Sequence, residues 1–140
     1  LGNAVAIHAA RKLLPGPVTL VIERPSFVSP DVTAGLPTLG FRVPDDRLCS
    51  AILDRCGPIA TTSANLSGET AYRGDGDVER LPPAELLIET GPTELHVDSS
   101  VIDLTGTQPR LLRDSAISFA ELNERIGPVA RIEVKERTAG

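Results

Sequence analysis

The stretch that most constrains this chain runs from Pro44 to Gly68. A helical pattern there stops at Gly57-Pro58, and a short apolar run, Ile59-Ala60-Thr61-Thr62, opens into Ser63-Ala64-Asn65-Leu66-Ser67-Gly68. Helix, then strand, then a loop of small hydroxyl and amide side chains implies an α/β layout with polar groups at a strand end. Such a loop turns hydroxyls and backbone N–H groups outward, where they can cradle phosphate or carboxylate without a full positive charge. The same residue types also form plain strand-to-loop connections, and this stretch alone does not separate the two readings.

The helix of this stretch, residues 44–56, has Pro44 near its first turn, Asp45 and Asp46 at the positive end of its dipole, and Leu48, Ile52, Leu53 and Cys56 on one stripe. Cys49 and Cys56, seven apart, share a face about 10 Å apart along the axis. They are too far apart to bridge each other, so packed thiols are expected. His8 and His96 are the only histidines and neither has a close cysteine, so no zinc site is expected.

The remaining elements follow from periodicity and punctuation. Residues 4–14 predict an amphipathic helix with Val5, Ile7, Ala10, Leu13 and Leu14 inward, His8 half-buried and Pro15-Gly16 as its stop. Residues 17–23 predict an interior strand, and 24–37 a long irregular loop, a lid being one role for it. Residues 39–43 predict a strand with Leu39, Phe41 and Val43 on the core face and Gly40 and Arg42 on the other. After the strand at 59–62 come a polar Gly-rich connection at 72–77, a short helical stretch at 78–81 and a short strand at 86–89. Residues 100–104 and 110–113 then pair as a hairpin, with Ser99 and Arg113 at one open end. A Ser118/Glu121 capping box starts a helix that ends at Gly127, and a last strand lies within 129–134.

A length of 140 residues suits one domain. Apolar residues make up 41% of the chain but aromatics only 3%, so the core must come from Leu, Ile, Val and Ala, as in sheets covered by helices. A net charge of −5 argues against a broad nucleic-acid-gripping face, although a local basic pocket is compatible with it. No apolar run is long enough to cross a bilayer and no signal-peptide pattern opens the chain, so a cytoplasmic location away from membranes is expected.

Five blocks in series resemble the YrdC/TsaC-like family of L-threonylcarbamoyladenylate synthases. They are Leu14-Pro15-Gly16-Pro17-Val18-Thr19-Leu20-Val21, Thr38-Leu39-Gly40-Phe41-Arg42-Val43-Pro44, the Ile59–Gly68 stretch, Ser99-Ser100-Val101-Ile102-Asp103, and Arg110-Leu111-Leu112-Arg113. The resemblance implies an α/β fold with a twisted mixed sheet, helices packed on it and a concave substrate cleft. It further implies a nucleotidyltransferase that joins L-threonine, bicarbonate and ATP, with Mg²⁺ accompanying the ATP, into threonylcarbamoyl-AMP. The product serves tRNA threonylcarbamoyladenosine modification through downstream threonylcarbamoyl-transfer proteins, and double-stranded RNA or tRNA is a further partner to consider.

Matched position by position, Arg42 is similar to the arginine that pairs with the threonine carboxylate, and Thr62 and Ser99 to hydroxyls that hold the amino acid. Thr38, Ala64 through its backbone, and Arg113 match nucleotide contacts, with Ser63, Asn65 and Tyr72 as further nucleotide partners. No catalytic nucleophile, general base or resident metal is implied. The family's Pro-Thr-x-Thr-x-Tyr-Gly-like segment and Lys-x-Arg motif have no match here, so residues 1–140 read as a YrdC-like domain lacking its N-terminal third. A truncated, non-catalytic nucleotide- or RNA-binding module is therefore the alternative. A hydrogenase-maturation carbamoyl-transfer domain would sit in a longer chain, and a serine hydrolase would need a Gly-x-Ser-x-Gly elbow that is absent.

Overall fold

The computed structural model describes residues 3–62, 64, 72, 78, 81–88 and 97–131. Their elements run α1 (Ala4–Leu13), β1 (Val18–Glu23), a 3₁₀ turn (Pro30–Thr33), β2 (Thr38–Phe41), α2 (Arg47–Cys56), β3 (Ser100–Asp103), β4 (Arg110–Arg113), α3 (Phe119–Ile126) and β5 (Ala130–Arg131). The strands form one mixed sheet in the order β2-β1-β3-β4-β5. β1 runs antiparallel to β2 and parallel to β3, the β3–β4 hairpin is antiparallel, and β5 lies parallel to β4.

Alternation along the strands divides the sheet into two chemically different faces. Val18 and Leu20 of β1, Ile102 of β3 and Leu111 of β4 are buried with Ala6, Ala9 and Leu13 of α1 and Leu122 and Ile126 of α3. Each large aliphatic side chain fully buried in this way contributes about 1.5–3 kcal/mol. The opposite face carries Thr19, Val21, Gly40 and Val101, as the pairings Val21↔Gly40 and Thr19↔Val101 require.

Local signals explain the helix ends. Asn3 caps α1 by accepting the Ala6 N–H at 2.9 Å, and its amide reaches across to the Leu104 and Gly106 carbonyls. Ser118 caps α3 through the Glu121 N–H at 3.3 Å, and Gly127 closes it at φ +84°, where a side chain would be strained.

Several expectations need correction. Residues 59–62 form no strand, because nothing among the described residues offers them a ladder, and Ile59 is half exposed. Residues 86–88 are likewise outside any strand, with Leu86, Leu87 and Ile88 exposed. Of the helical stretch at 78–81, residues 79 and 80 lie outside the described residues, and the Leu81 N–H donates to the Val78 carbonyl. α2 begins at Arg47 because Asp46, not Pro44, is its cap, accepting the Cys49 N–H at 2.7 Å. This helix follows an edge strand and buries none of its side chains among the described residues, so Cys49 and Cys56 are exposed rather than packed. In α1 Leu13 is buried and Val5, Ala10 and Leu14 pack against the core as expected, but Ala6 and Ala9 complete the fully buried stripe and Ile7 and His8 are exposed. No helix among the described residues is long and apolar enough to cross a membrane.

Asp103, at the end of β3, gives the fold a pH dependence. Burial pushes its carboxyl up, but hydrogen bonds from the Thr105 N–H and hydroxyl, at 2.9 and 2.7 Å, and from Arg110 outweigh burial and hold it below the ordinary carboxylate value. A carboxyl lowered by folding adds stability above its unfolded value of about 3.9, and that contribution disappears as pH falls through the folded value. Urea unfolding followed from about pH 7 to about pH 3 is expected to show wild-type stability falling at the acid end. Asp103→Asn should be less stable near neutrality and show a shallower acid decline. Parallel profiles for the two proteins would contradict this role.

Candidate functional site

The cleft lies on the sheet face opposite the core. It encloses about 460 Å³ and is lined by Thr19 of β1, Gly40 and Phe41 of β2, Arg42, Thr61, the run Val97-Asp98-Ser99 entering β3, and Arg113 ending β4. Among the described residues two guanidinium groups and one carboxylate line it, a net single positive charge in a chain whose total is −5. The cleft is therefore suited to an anion, and its hydroxyls add neutral hydrogen bonds.

Arg42 is placed by the turn after α1. Its Nε donates to the Gly16 carbonyl at 3.2 Å, and the Gly16 N–H in turn donates to the Val43 carbonyl at 2.9 Å. A β-carbon at position 16 would sit 2.7 Å from the Leu13 carbonyl oxygen, so this close turn requires glycine. With Nε committed to the backbone, the terminal nitrogens of Arg42 have no partner among the described residues and are available to a ligand.

Arg113 reaches the cleft through an irregularity in the hairpin. Ile102 pairs with Leu111, but Val101 pairs with Arg113 rather than Leu112, a one-residue register shift. Plain alternation from buried Leu111 would turn Arg113 toward the core; the shift re-aims it to the face of Val101 and Thr19. There its Nε donates to the Ser99 carbonyl at 2.8 Å and its Nη2 to the Ser99 hydroxyl at 3.2 Å. Its contact with Asp98, at 3.4 Å, joins two half-exposed groups and contributes about 1 kcal/mol at most. Ser99 is what holds Arg113.

Of the residues singled out in the sequence, Arg42, Ser99 and Arg113 meet in this cleft. Thr62 does not line it; its neighbour Thr61 does. Thr38 stands at the start of β2 opposite Glu23, two residues from Gly40 along the same strand. Ala64 is exposed, and its carbonyl accepts the N–H of half-buried Tyr72 at 3.0 Å. Ser63 and Asn65 lie outside the described residues. Thr19 and Asp98 were not singled out. A hydroxyl alternating with Val18 and Leu20 on an interior strand is the signal that marks Thr19, whereas nothing in the local sequence marks Asp98. Among the described residues no cluster of three or more His, Cys, Asp or Glu side chains could hold a metal ion.

A mixed sheet with a basic, hydroxyl-lined cleft at its strand ends defines an α/β domain with a cleft suited to a small anionic ligand. The chain belongs to the Sua5/YciO/YrdC family, whose model, described as "Telomere recombination", matches residues 3–115. It is 35% identical over 129 residues to a threonylcarbamoyl-AMP synthase of Bacillus subtilis, covering 85% of this chain and 36% of the relative. A threonylcarbamoyl-AMP synthase of Pyrococcus abyssi is 33% identical over 123 residues, covering 86% of this chain and 36% of the relative. The chain thus spans little more than a third of the length of these relatives. Among solved structures, a P. abyssi Sua5 variant superposes with a TM-score of 0.82 at 30% identity, over 93% of this chain and 39% of that one. P. abyssi Sua5 complexed with L-threonine superposes with a TM-score of 0.76 at 31% identity, over 88% of this chain and 37% of that one.

Proposed function

We propose that this chain supplies substrate-binding parts of a threonylcarbamoyl-AMP synthase, a nucleotidyltransferase of tRNA threonylcarbamoyladenosine modification. The observation that carries the reading is the convergence of Arg42, Ser99 and Arg113 on one cleft, from three separate parts of the sequence. The likeness to relatives bearing that name and to a structure complexed with L-threonine supports it.

The reaction combines L-threonine, bicarbonate and ATP to give threonylcarbamoyl-AMP, pyrophosphate and water. The threonine nitrogen forms a bond to the bicarbonate carbon as that carbon's C–OH bond breaks and the hydroxyl leaves as water with a proton from the amine, and a carbamate oxygen then attacks the α-phosphorus as pyrophosphate leaves. No side chain need act as nucleophile, so the protein's contribution is orientation and charge. Arg42 grips the threonine carboxylate with its terminal nitrogens, Ser99 contributes its hydroxyl from within the cleft, and Thr62 contributes one from beside the cleft-lining Thr61. Arg113, held by Ser99, faces the nucleotide with Thr38, Ser63, the Ala64 backbone, Asn65 and Tyr72. Mg²⁺ enters as the counterion of ATP, since the one carboxylate that the described residues bring to the cleft, Asp98, already faces Arg113. The reading extends to a cytoplasmic site of action, with tRNA or double-stranded RNA and a threonylcarbamoyl-transfer protein downstream.

Purified protein incubated with L-threonine, ATP, Mg²⁺ and bicarbonate is expected to release pyrophosphate only when all are present. Tight binding of L-threonine and ATP without pyrophosphate would favour a non-catalytic nucleotide-binding module. Failure to bind either would overturn the reading.

A further inference from the structure

Thr19 has no part in the functional reading above, yet it touches the groups that do. Its Oγ1 lies 2.8 Å from the Ser99 hydroxyl, which in turn accepts Arg113 Nη2 at 3.2 Å. Thr19 stands on β1, an interior strand paired on both sides, so its backbone is fixed. On the neighbouring strand, a β-carbon on Gly40 would lie 3.4 Å from Thr19 Cγ2, on the methyl side of the threonine.

Counting protons gives this contact a consequence. Two hydroxyls bring two protons and four lone pairs. One proton is used between Thr19 and Ser99, and Arg113 fills one lone pair of Ser99. Whichever hydroxyl donates across the pair, one O–H proton remains, with no acceptor among the described residues, and both side chains line the cleft. When Thr19 is the donor, both Ser99 lone pairs are filled and Ser99 becomes a pure donor toward the ligand. The remaining proton calls for an acceptor oxygen, as in a carboxylate or phosphate.

We infer that Thr19 is a positioning residue: it orients Ser99 so that the pair offers one O–H donor to an oxygen of a bound carboxylate or phosphate while presenting Arg113. This rests on the cleft being the substrate site proposed above.

The test compares wild type, Thr19→Val and Thr19→Ser by calorimetric titration with L-threonine, ATP and inorganic pyrophosphate, alongside thermal melting. Thr19→Val keeps the shape and removes the hydroxyl, and is expected to weaken the affected ligand about tenfold. Thr19→Ser restores the hydroxyl and should bind within about twofold of wild type. Loss confined to L-threonine identifies the carboxylate as the acceptor, whereas loss confined to ATP and pyrophosphate identifies a phosphate. Thr19→Val binding all three ligands like wild type overturns the inference, as does a Thr19→Ser protein as weak as Thr19→Val. Thr19-dependent binding of pyrophosphate, without binding of L-threonine or ATP, would keep the inference and reject the functional reading. Binding of L-threonine and ATP regardless of residue 19 would do the reverse. A wild-type chain that binds none of the three overturns both.

Discussion

Arg113→Ala is expected to weaken ATP binding about 30-fold while changing L-threonine affinity about threefold or less, and Arg42→Ala to do the opposite. A charge-assisted hydrogen bond in a partly desolvated cleft contributes roughly 1.5–3 kcal/mol, and about 2 kcal/mol corresponds to the 30-fold figure. The effects should separate because the two arginines are anchored independently. Arg42 is tied through Nε to the Gly16 carbonyl, and Arg113 through Nε and Nη2 to Ser99. Ser99 should survive the loss of Arg113, since Thr19 still holds its hydroxyl and the adjoining Ser100 N–H donates to the Pro17 carbonyl at 3.1 Å. Arg113→Lys is expected to recover only part of the loss, because a lysine keeps the charge but cannot span the Ser99 carbonyl and hydroxyl as a fork. Titration calorimetry with each ligand reads both affinities. Equal small effects from both alanine variants would contradict the division of labour.

Ser100→Ala is expected to cost about 3 kcal/mol of stability, a large loss for removal of one oxygen. Ser100 is fully buried. Its hydroxyl donates to the Ile117 carbonyl at 2.9 Å and accepts the Ile117 N–H at 2.9 Å and the Ser115 N–H at 3.2 Å. That one oxygen ties β3 to the turn that leads into α3. Alanine would strand two N–H groups and a carbonyl where water has little access, at roughly 1–3 kcal/mol for each group not re-paired. For a domain of this size the loss amounts to about 10 °C in melting temperature. Ser100→Thr retains the hydroxyl and should lose much less. Because Ser100 faces the core, ligand affinities of the folded Ser100→Ala protein should stay close to wild type. A melting temperature within about 2 °C of wild type would show that these three bonds are replaceable.

What the amino-acid order made legible was mainly local. Ser118 and Gly127 bracket α3, the apolar run at 17–23 holds the interior strand β1, and the two apolar runs around Gly106 form the expected hairpin. Arg42, Ser99 and Arg113 were legible as candidate site residues through the family resemblance, and the structure places those three around one cleft. Non-local features were not legible. The register shift opposite Val101 depends on how two strands meet, and no residue within β4 announces it. The run at 59–62 has the composition of a strand, but a strand needs a ladder and none is available to it among the described residues. α2 has an amphipathic pattern, yet a pattern specifies a face without specifying what covers it, so Cys49 and Cys56 are exposed despite their spacing. Nothing in the local sequence marks Ser100; only its place opposite Ser115 and Ile117 reveals its weight.

The most direct measurement is a crystal structure of the protein with L-threonine and a non-hydrolysable ATP analogue bound. The threonine carboxylate should lie within hydrogen-bonding distance of the Arg42 terminal nitrogens, with Arg113 facing the nucleotide in the same cleft. A threonine or nucleotide seated elsewhere, such as in the groove beside His8 and Pro128 between α1 and α3, would contradict it.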